Sequence, residues 1–171
     1  MRKEDAFEVS EVVNWLLSTY DSNQFSLTNL KLNKLVYFMH GISLAREDVP
    51  LIRNRFECWQ NGPVVASLYH RLKRFGYSEV TQLISYQNYE TGAVGSVSSE
   101  RVEARLTPVI RRATDYFVAK STSWLVEKSH AESGPWSRNY ANRDPSLGGV
   151  SLADHEIKEH FVNIYGGRRL N

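Results

Sequence analysis

The sequence contains almost none of the residues that covalent or metal-based structures need. Among its 171 residues there is one cysteine, Cys58, so the chain can neither close an internal disulfide nor build a thiolate zinc cage. A domain of this length buries roughly 70% of the surface of its unfolded chain and needs no such staple. The hydrophobic fraction of 42% and the charged fraction of 23% also argue against a disordered chain.

The sequence also has no large excess of positively or negatively charged residues. Lys and Arg number 21 against 19 Asp and Glu, which leaves a formal net charge of +2. This balance gives no reason to expect nucleic acid or an anionic membrane as the default partner.

Long hydrophobic runs are absent too. The first residues, MRKEDAFEV, include no apolar core of signal-peptide length. The most apolar stretch, Leu30–Ala45, is too short to span a bilayer and carries Lys31, Lys34 and His40. Together with the lone cysteine, these features predict a cytoplasmic protein without a membrane partner.

The first half of the chain shows regular apolar spacing. Apolar residues at three- and four-residue steps from Val9 to Tyr20 predict a first helix, which Asp5 can cap. A second helix should begin at Ser26 or Thr28, end near Arg46, and lie at the centre of the domain because it is apolar nearly all round. A strand over 52–60 should lead through the turn Asn61-Gly62-Pro63 into a third helix over 63–75.

The second half is less regular. A strand is expected over 81–86, followed by a mobile loop rich in Gly and Ser over 89–100. Helices should follow from Thr107-Pro108 to Phe117, over 123–128, and over 152–164 with Ser151 as cap. The sequence therefore predicts a mainly α protein, a compact single-domain helical bundle over residues 1–171 with a small two- or three-stranded β element.

Two constellations could carry chemistry, and each has a simpler explanation. His155 and His160 are five residues apart, about 140° around a helix axis, so they suit a solvated charged face better than a zinc site. Cys58 with one of the histidines could act as nucleophile and base, but its apolar neighbours favour a buried small hydrophobe. The basic cluster of Arg71, Lys73 and Arg74 is expected on the solvent-exposed face of its helix. These residues favour a non-enzymatic module with no metal and no cofactor.

Three segments carry a more specific signal: LKLNKLVYFMHGISLA (30–45), PLIRNRFECWQNGPVVASLYHRLKRFG (50–76), and Ser129-His130 with Pro135-Trp136. Together they resemble the Panacea domain, the SocA-like antitoxin family of phage-associated proteins. The spacing between the Lys-Leu helix and the Gly-Pro-Val turn is kept. The residues of the motif that are expected to specify the fold are Lys31, Leu32, Lys34, Leu35, Tyr37, Gly62, Pro63 and Val64.

The resemblance implies an antitoxin that neutralises a cognate protein toxin by direct binding. Two alternatives remain open: a proteolytic adaptor that delivers its partner to a AAA+ protease, and a phage or mobile-element effector that binds a host protein. Direct DNA binding is not expected, because only about four residues precede the first helix where many relatives carry a DNA-binding domain. If the motif binds a partner, the expected groove is lined by Trp59, Asn61, Tyr69, His130 and Trp136.

Overall fold

The structure is a computed structural model that describes residues 5–141 and 149–166. Across these residues it contains eight α-helices and five short strands, which confirms the mainly α class with a small β element. In chain order the elements are α1 (Val9–Thr19), α2 (Asn29–Glu47), β1 (Phe56–Trp59), β2 (Gly62–Val64), α3 (Ala66–Leu72), β3 (Ser85–Gln87), β4 (Val94–Ser96), α4 (Glu100–Arg105), α5 (Pro108–Val118), α6 (Thr122–Ser129), α7 (Pro135–Ala141), β5 (Val150–Leu152) and α8 (Asp154–Tyr165).

Helix α2 is the centre of the molecule, as its sequence predicts. Thr28 caps it by accepting a hydrogen bond from the backbone N–H of Lys31 at 3.2 Å, and every residue over 31–44 is buried. Helices α1, α3, α5, α6 and α8 and strand β2 all pack against it. At Gly41 the approach of α8 is so close that an added Cβ would lie 2.5 Å from the ring of Phe161.

A three-stranded antiparallel sheet with the order β2-β1-β5 lies beside this helix. In the β1–β2 hairpin Trp59 pairs with Gly62, which leaves Gln60 and Asn61 as the two turn residues. The expectation that Pro63 begins the third helix is wrong: Pro63 pairs with Cys58 in the edge strand β2, where a missing N–H is tolerated, and α3 begins at Ala66. Strand β5 differs from the expectation, which places Leu152 in the last helix.

A second, two-stranded sheet is formed by β3 and β4 in the region where a strand and a mobile loop were expected. Buried Asn14 of α1 ties down both ends of this hairpin. Its Nδ2 donates to the carbonyls of Ile84 at 2.9 Å and Val97 at 2.8 Å, and its Oδ1 accepts from the N–H of Ile84 at 2.7 Å. The segment is thus an anchored hairpin followed directly by α4.

Two end signals differ from expectation as well. Helix α1 is capped by Glu8, not Asp5, because Glu8 and Glu11 form a reciprocal capping box. Helix α8 begins after Ala153, which makes no side-chain cap, because Ser151 pairs with Glu57 in the sheet instead. In the part of the chain that the structure describes, no helix combines the length and the apolar character needed to cross a membrane.

Candidate functional site

The β1–β2 hairpin forms the frame of the candidate site. Gly62 has φ of +98°, which side-chain-bearing residues rarely adopt. A Cβ added there would lie 2.5 Å from Lys34 Nζ, 2.8 Å from Ser129 Oγ and 2.9 Å from His130 Nε2. Glycine is therefore favoured at this position both by the backbone conformation and by the lack of space for a side chain.

Polar side chains of α2 hold the outer edge of the hairpin. The Nζ of Lys34 donates to the carbonyl of Pro63 at 2.8 Å, and the Oδ1 of Asn33 accepts from the N–H of Val65 at 3.0 Å. A lone edge strand leaves such backbone groups without partners, and burying them unpaired is costly. These two contacts explain why the buried central helix carries Asn33 and Lys34 at this level.

The remaining motif residues build the core around the same joint. Leu32 and Leu35 are fully buried, and Val64 is 4% exposed. Tyr37 packs edge-to-face on Phe56, with ring centroids 5.4 Å apart. These motif residues thus lie where α2 packs on the hairpin and on the core around it.

Lys34 and His130 give this joint an unusual electrostatic character. Lys34 is completely buried, and this burial lowers its pKa to about 7. Within residues 5–141 and 149–166 no carboxylate forms an ion pair with it. The pKa of His130 is also lowered, first by burial and then by the charge of Lys34, while the backbone of Asn61 acts in the opposite direction. Two basic groups therefore lie beside Gly62, at the back of the hairpin.

An aromatic stack covers the same side of the hairpin. His130, at the end of α6, stacks on Trp136 of α7 with centroids 3.8 Å apart and planes 9° apart, and Trp136 stacks on Tyr140 at 4.4 Å. The indole Nε1 of Trp136 donates to the carbonyl of Trp59 at 2.8 Å. This stack fixes the end of α6 and the start of α7 to strand β1.

A groove opens at the turn end of the hairpin, between α2 and α3. Its volume is about 460 Å³. The rings of Trp59 and Tyr69 meet in it at 4.9 Å with planes 62° apart, and Tyr77 is fully exposed at its rim. Among the described residues that line the groove, Lys73 alone carries a formal charge. The groove therefore offers aromatic surface, side-chain amides and one cation.

The five residues expected to line one groove are divided by the structure. Trp59, Asn61 and Tyr69 line the groove. His130 and Trp136 do not line it. They lie in the stack and contact the backbone of groove residues, Trp136 that of Trp59 and His130 that of Asn61. Lys73 and Tyr77 also line the groove, although the sequence analysis assigns neither of them to it. The available signal was their position on either side of Gly76, the residue predicted to end the third helix.

Neither Cys58, considered as a nucleophile, nor His160, considered as a zinc ligand, is placed for such a role. Cys58 is 3% exposed, and its Sγ lies 4.0 Å from the carbonyl of Trp136 in the core. His160 is buried, so its expected solvated position is wrong: the helical step places it on the same face as Ile157 and Phe161. Among the described residues no group of three or more His, Cys, Asp or Glu side chains is placed to hold a metal ion.

Comparison with known proteins places these features in a family. Residues 32–137 match the family described as antitoxin SocA-like, Panacea domain. Over 151 residues the chain is 31% identical to the antitoxin SocA of Caulobacter vibrioides (strain NA1000 / CB15N), an alignment that covers 88% of this chain and 80% of that relative. No solved structure matches significantly. The family expected from the motif residues is confirmed.

Proposed function

Because the chain belongs to the SocA-like antitoxin family with the Panacea domain, we propose that it is an antitoxin that neutralises a cognate protein toxin by direct binding. The observation that carries this proposal is the open groove lined by Trp59, Asn61 and Tyr69, on a hairpin that hydrogen bonds from α2 hold in place. Aromatic side chains fixed in a concave surface are typical anchors of protein interfaces.

Binding is favoured over catalysis by the burial of the reactive groups. Cys58 lies in the core, Lys34 is enclosed by the hairpin, and the Nε2 of His130 is buried behind it. A nucleophile or general base must reach its substrate, and neither Cys58, Lys34 nor His130 lines the groove. The chain acts in this proposal as a stoichiometric inhibitor in the cytoplasm, with a single domain and without a cofactor.

The test is growth of cells that express the open reading frame adjacent to this gene, with and without this chain. The expected result is growth arrest that only co-expression of this chain relieves. Cys58→Ala and His130→Ala should each retain rescue wherever the variant folds, because neither residue is assigned chemistry. Arrest that this chain does not relieve would contradict the proposal.

The same strains separate direct inhibition from delivery to a AAA+ protease. An inhibitor leaves the half-life of the toxin unchanged or longer, whereas an adaptor shortens it. A pulse-chase measurement of the toxin with and without this chain therefore decides between the two. Purified chain and toxin should also form a stoichiometric complex in the absence of any protease.

A further inference from the structure

The β3–β4 hairpin is a two-stranded sheet with no third strand among the described residues. Its base reaches the core through Ile84, which is buried, and Val97, which is half-buried. Beyond this base both strands are exposed, apart from half-buried Gly95. A lone hairpin is marginally stable in water, so a third strand would complete this sheet.

The hydrogen bonds inside the hairpin fix the direction of its other backbone groups. The N–H of Val97 donates to the carbonyl of Ile84 at 2.9 Å, and the N–H of Asn88 donates to the carbonyl of Ala93 at 2.8 Å. In an antiparallel ladder, hydrogen-bonded pairs alternate with pairs whose backbone groups point outward. Every second pair between these two contacts is therefore turned outward.

The outward pairs are Ser85 with Ser96 and Gln87 with Val94. Their N–H and C=O groups form two free edges, one along β3 and one along β4. None of these backbone groups has a hydrogen-bond partner in the part of the chain that the structure describes. Such an edge is a template on which another extended chain can pair.

The hairpin also lacks the features that normally protect a free edge, which are Lys, Pro, a bulge or a covering segment. Over residues 80–99 the sequence has no Lys, Arg or Pro, and its one formal charge is Glu90 in the turn. Most of the large apolar side chains that are exposed among the described residues lie here, namely Leu83, Tyr86, Tyr89 and Val94. An exposed apolar patch of this kind marks an interaction site.

The edge of β4 is the more open of the two. At the β3 edge, Ser85 lines a pocket of about 110 Å³ together with Phe75, so the turn after α3 lies beside it. At the β4 edge, the side chain of Val94 is 70% exposed. The ring of Tyr86 crosses from β3 to β4, since its hydroxyl oxygen lies 3.0 Å from the position of a Cβ on Gly95. A side chain placed beside Gly95 on an added strand would therefore meet this ring.

We propose that the free edge of β4 binds an extended segment of a partner protein, which adds to the hairpin as a third strand. The backbone of that segment exchanges hydrogen bonds with Val94 and Ser96. Its side chain beside Gly95 packs against the ring of Tyr86, which favours an uncharged β-branched or aromatic residue there. The proposed function is needed only to name the partner as the toxin.

The chemistry of the edge selects this occupant. Backbone donors and acceptors at strand spacing match another extended chain, and a hairpin without cations offers nothing to a phosphate backbone. A second copy of this chain is a poorer match, because β4 has only three residues. Pairing of two such short edges buries too little surface to reach the roughly 1,200–2,000 Å² of a stable interface. A partner strand is instead one part of a larger contact.

The direct test uses the full chain, labelled with ¹⁵N, and a synthetic strand-forming peptide, Lys-Thr-Val-Thr-Val-Thr-Lys. On titration the amide signals of Val94 and Ser96 should shift saturably and exchange their hydrogens more slowly, whereas those of Ser85 and Gln87 should not. A second peptide, N-methylated at its three central residues so that both of its edges lose donors, should bind at least about tenfold more weakly. No change at Val94 and Ser96, or equal binding of the two peptides, overturns the inference.

Variants locate the binding on the β4 edge. Ser96→Pro removes one outward N–H and leaves the hydrogen bonds within the hairpin in place, so it should weaken the peptide about fivefold. The matched control is Ser85→Pro, which makes the same change at the paired residue on the β3 edge and should bind as the wild type does. Ser96→Ala, which keeps the N–H, should also bind normally. Wild-type affinity in Ser96→Pro, or an equal loss in Ser85→Pro, refutes the assignment.

Melting curves and the rate of chymotrypsin cleavage at Tyr86 confirm that the hairpin of each variant is folded. If Ser96→Pro opens the hairpin, the comparison is repeated at the other outward pair, with Val94→Pro as the test and Gln87→Pro as its control. Loss of binding in Val94→Pro alone supports the β4 edge, and equal binding of these two variants refutes it.

A second copy of this chain would give a different result. Sedimentation of the wild type would then show a concentration-dependent dimer that Ser96→Pro dissociates and Ser85→Pro does not. That result overturns the inference, because the β4 edge would already be occupied in the free protein.

The toxin assay keeps the two proposals apart. If the wild type rescues growth but bound toxin does not slow exchange at Val94 and Ser96, the β4 edge is not the toxin-binding surface, although the antitoxin function stands. If the wild type fails to rescue, the proposed function fails and the peptide measurements alone decide whether the edge binds an added strand.

Discussion

Substitution of Gly62 by Ala tests the structural role of the hairpin turn. The added methyl group must occupy the point that lies 2.5 Å from Lys34 Nζ, 2.8 Å from Ser129 Oγ and 2.9 Å from His130 Nε2. Real Cβ atoms essentially never approach other atoms this closely, so either these three side-chain ends or the hairpin must shift. Either shift disturbs the contact of Lys34 with the carbonyl of Pro63, which is its one hydrogen bond among the described residues.

Two costs set the size of the effect. Placing alanine at φ of +98° costs about 1–2 kcal/mol of backbone strain. Crowding in a closely packed site adds about 1–3 kcal/mol. The free energy of unfolding should therefore fall by about 2–5 kcal/mol, and in a domain of this size the melting temperature should fall by about 10 °C.

Chemical and thermal unfolding followed by circular dichroism measure this loss. The matched control is Gly76→Ala, since Gly76 also has positive φ, +58°, but nothing lies within 4 Å of its Cβ position. The control should show only the strain cost, about 1–3 kcal/mol, because the backbone of Gly76 (φ +58°, ψ −121°) lies in a region that alanine rarely adopts. Equal losses in the two variants would refute the crowding argument, and a Gly62→Ala variant that melts like wild type but fails to bind toxin would show that Gly62 acts in binding instead.

Two further predictions concern buried polar groups. Between pH 7, the approximate pKa of Lys34 in the folded chain, and pH 10.5, its ordinary pKa, Lys34 binds more protons in the unfolded chain than in the folded one. The free energy of unfolding of the wild type should therefore rise with pH over this window relative to that of Lys34→Met, by at most about 1.4 kcal/mol per pH unit. Denaturant unfolding measures it, and parallel pH profiles of the two proteins would contradict a neutral buried amine. Asn14→Ala should release the β3–β4 hairpin and speed chymotrypsin cleavage at Tyr86 and Tyr89, because it removes three hydrogen bonds, whereas Asn139→Ala should not. Bound toxin should protect the 86–100 segment in the wild type, and equal cleavage with and without toxin would remove that segment from the interface.

The sequence predicts the elements whose signals are local. The buried character of α2, the caps at Thr28 and Thr107, and the turn at Gly62 follow from spacing and from backbone preferences within a few residues. The predicted start of α3 at Pro63 is wrong because proline suits two positions, the first turn of a helix and an edge strand. Pairing with Cys58, rather than any local preference, decides between them. Strand β5 has only three residues, and its partner β1 lies far away in the chain.

The candidate site was only partly predictable for a related reason. Residue types marked Trp59, Tyr69, His130 and Trp136 as notable, but which side of the hairpin each occupies depends on how α6 and α7 return to it. Likewise, the apolar pattern of α2 gives no partner for Asn33 and Lys34. Their partners are backbone groups of Pro63 in β2 and of Val65 just after it, about thirty residues later, which only the three-dimensional arrangement reveals.

The contact between Gly41 and Phe161 has a consequence for synthesis of the chain. One side of α2 is covered by α8, which spans Asp154–Tyr165 and fits only because Gly41 has no side chain. While the ribosome is still adding these residues, that apolar side of the central helix has nothing to pack against. The finished fold is therefore acquired after residue 165 has left the ribosome exit tunnel, and a product that stops before α8 would expose its own core.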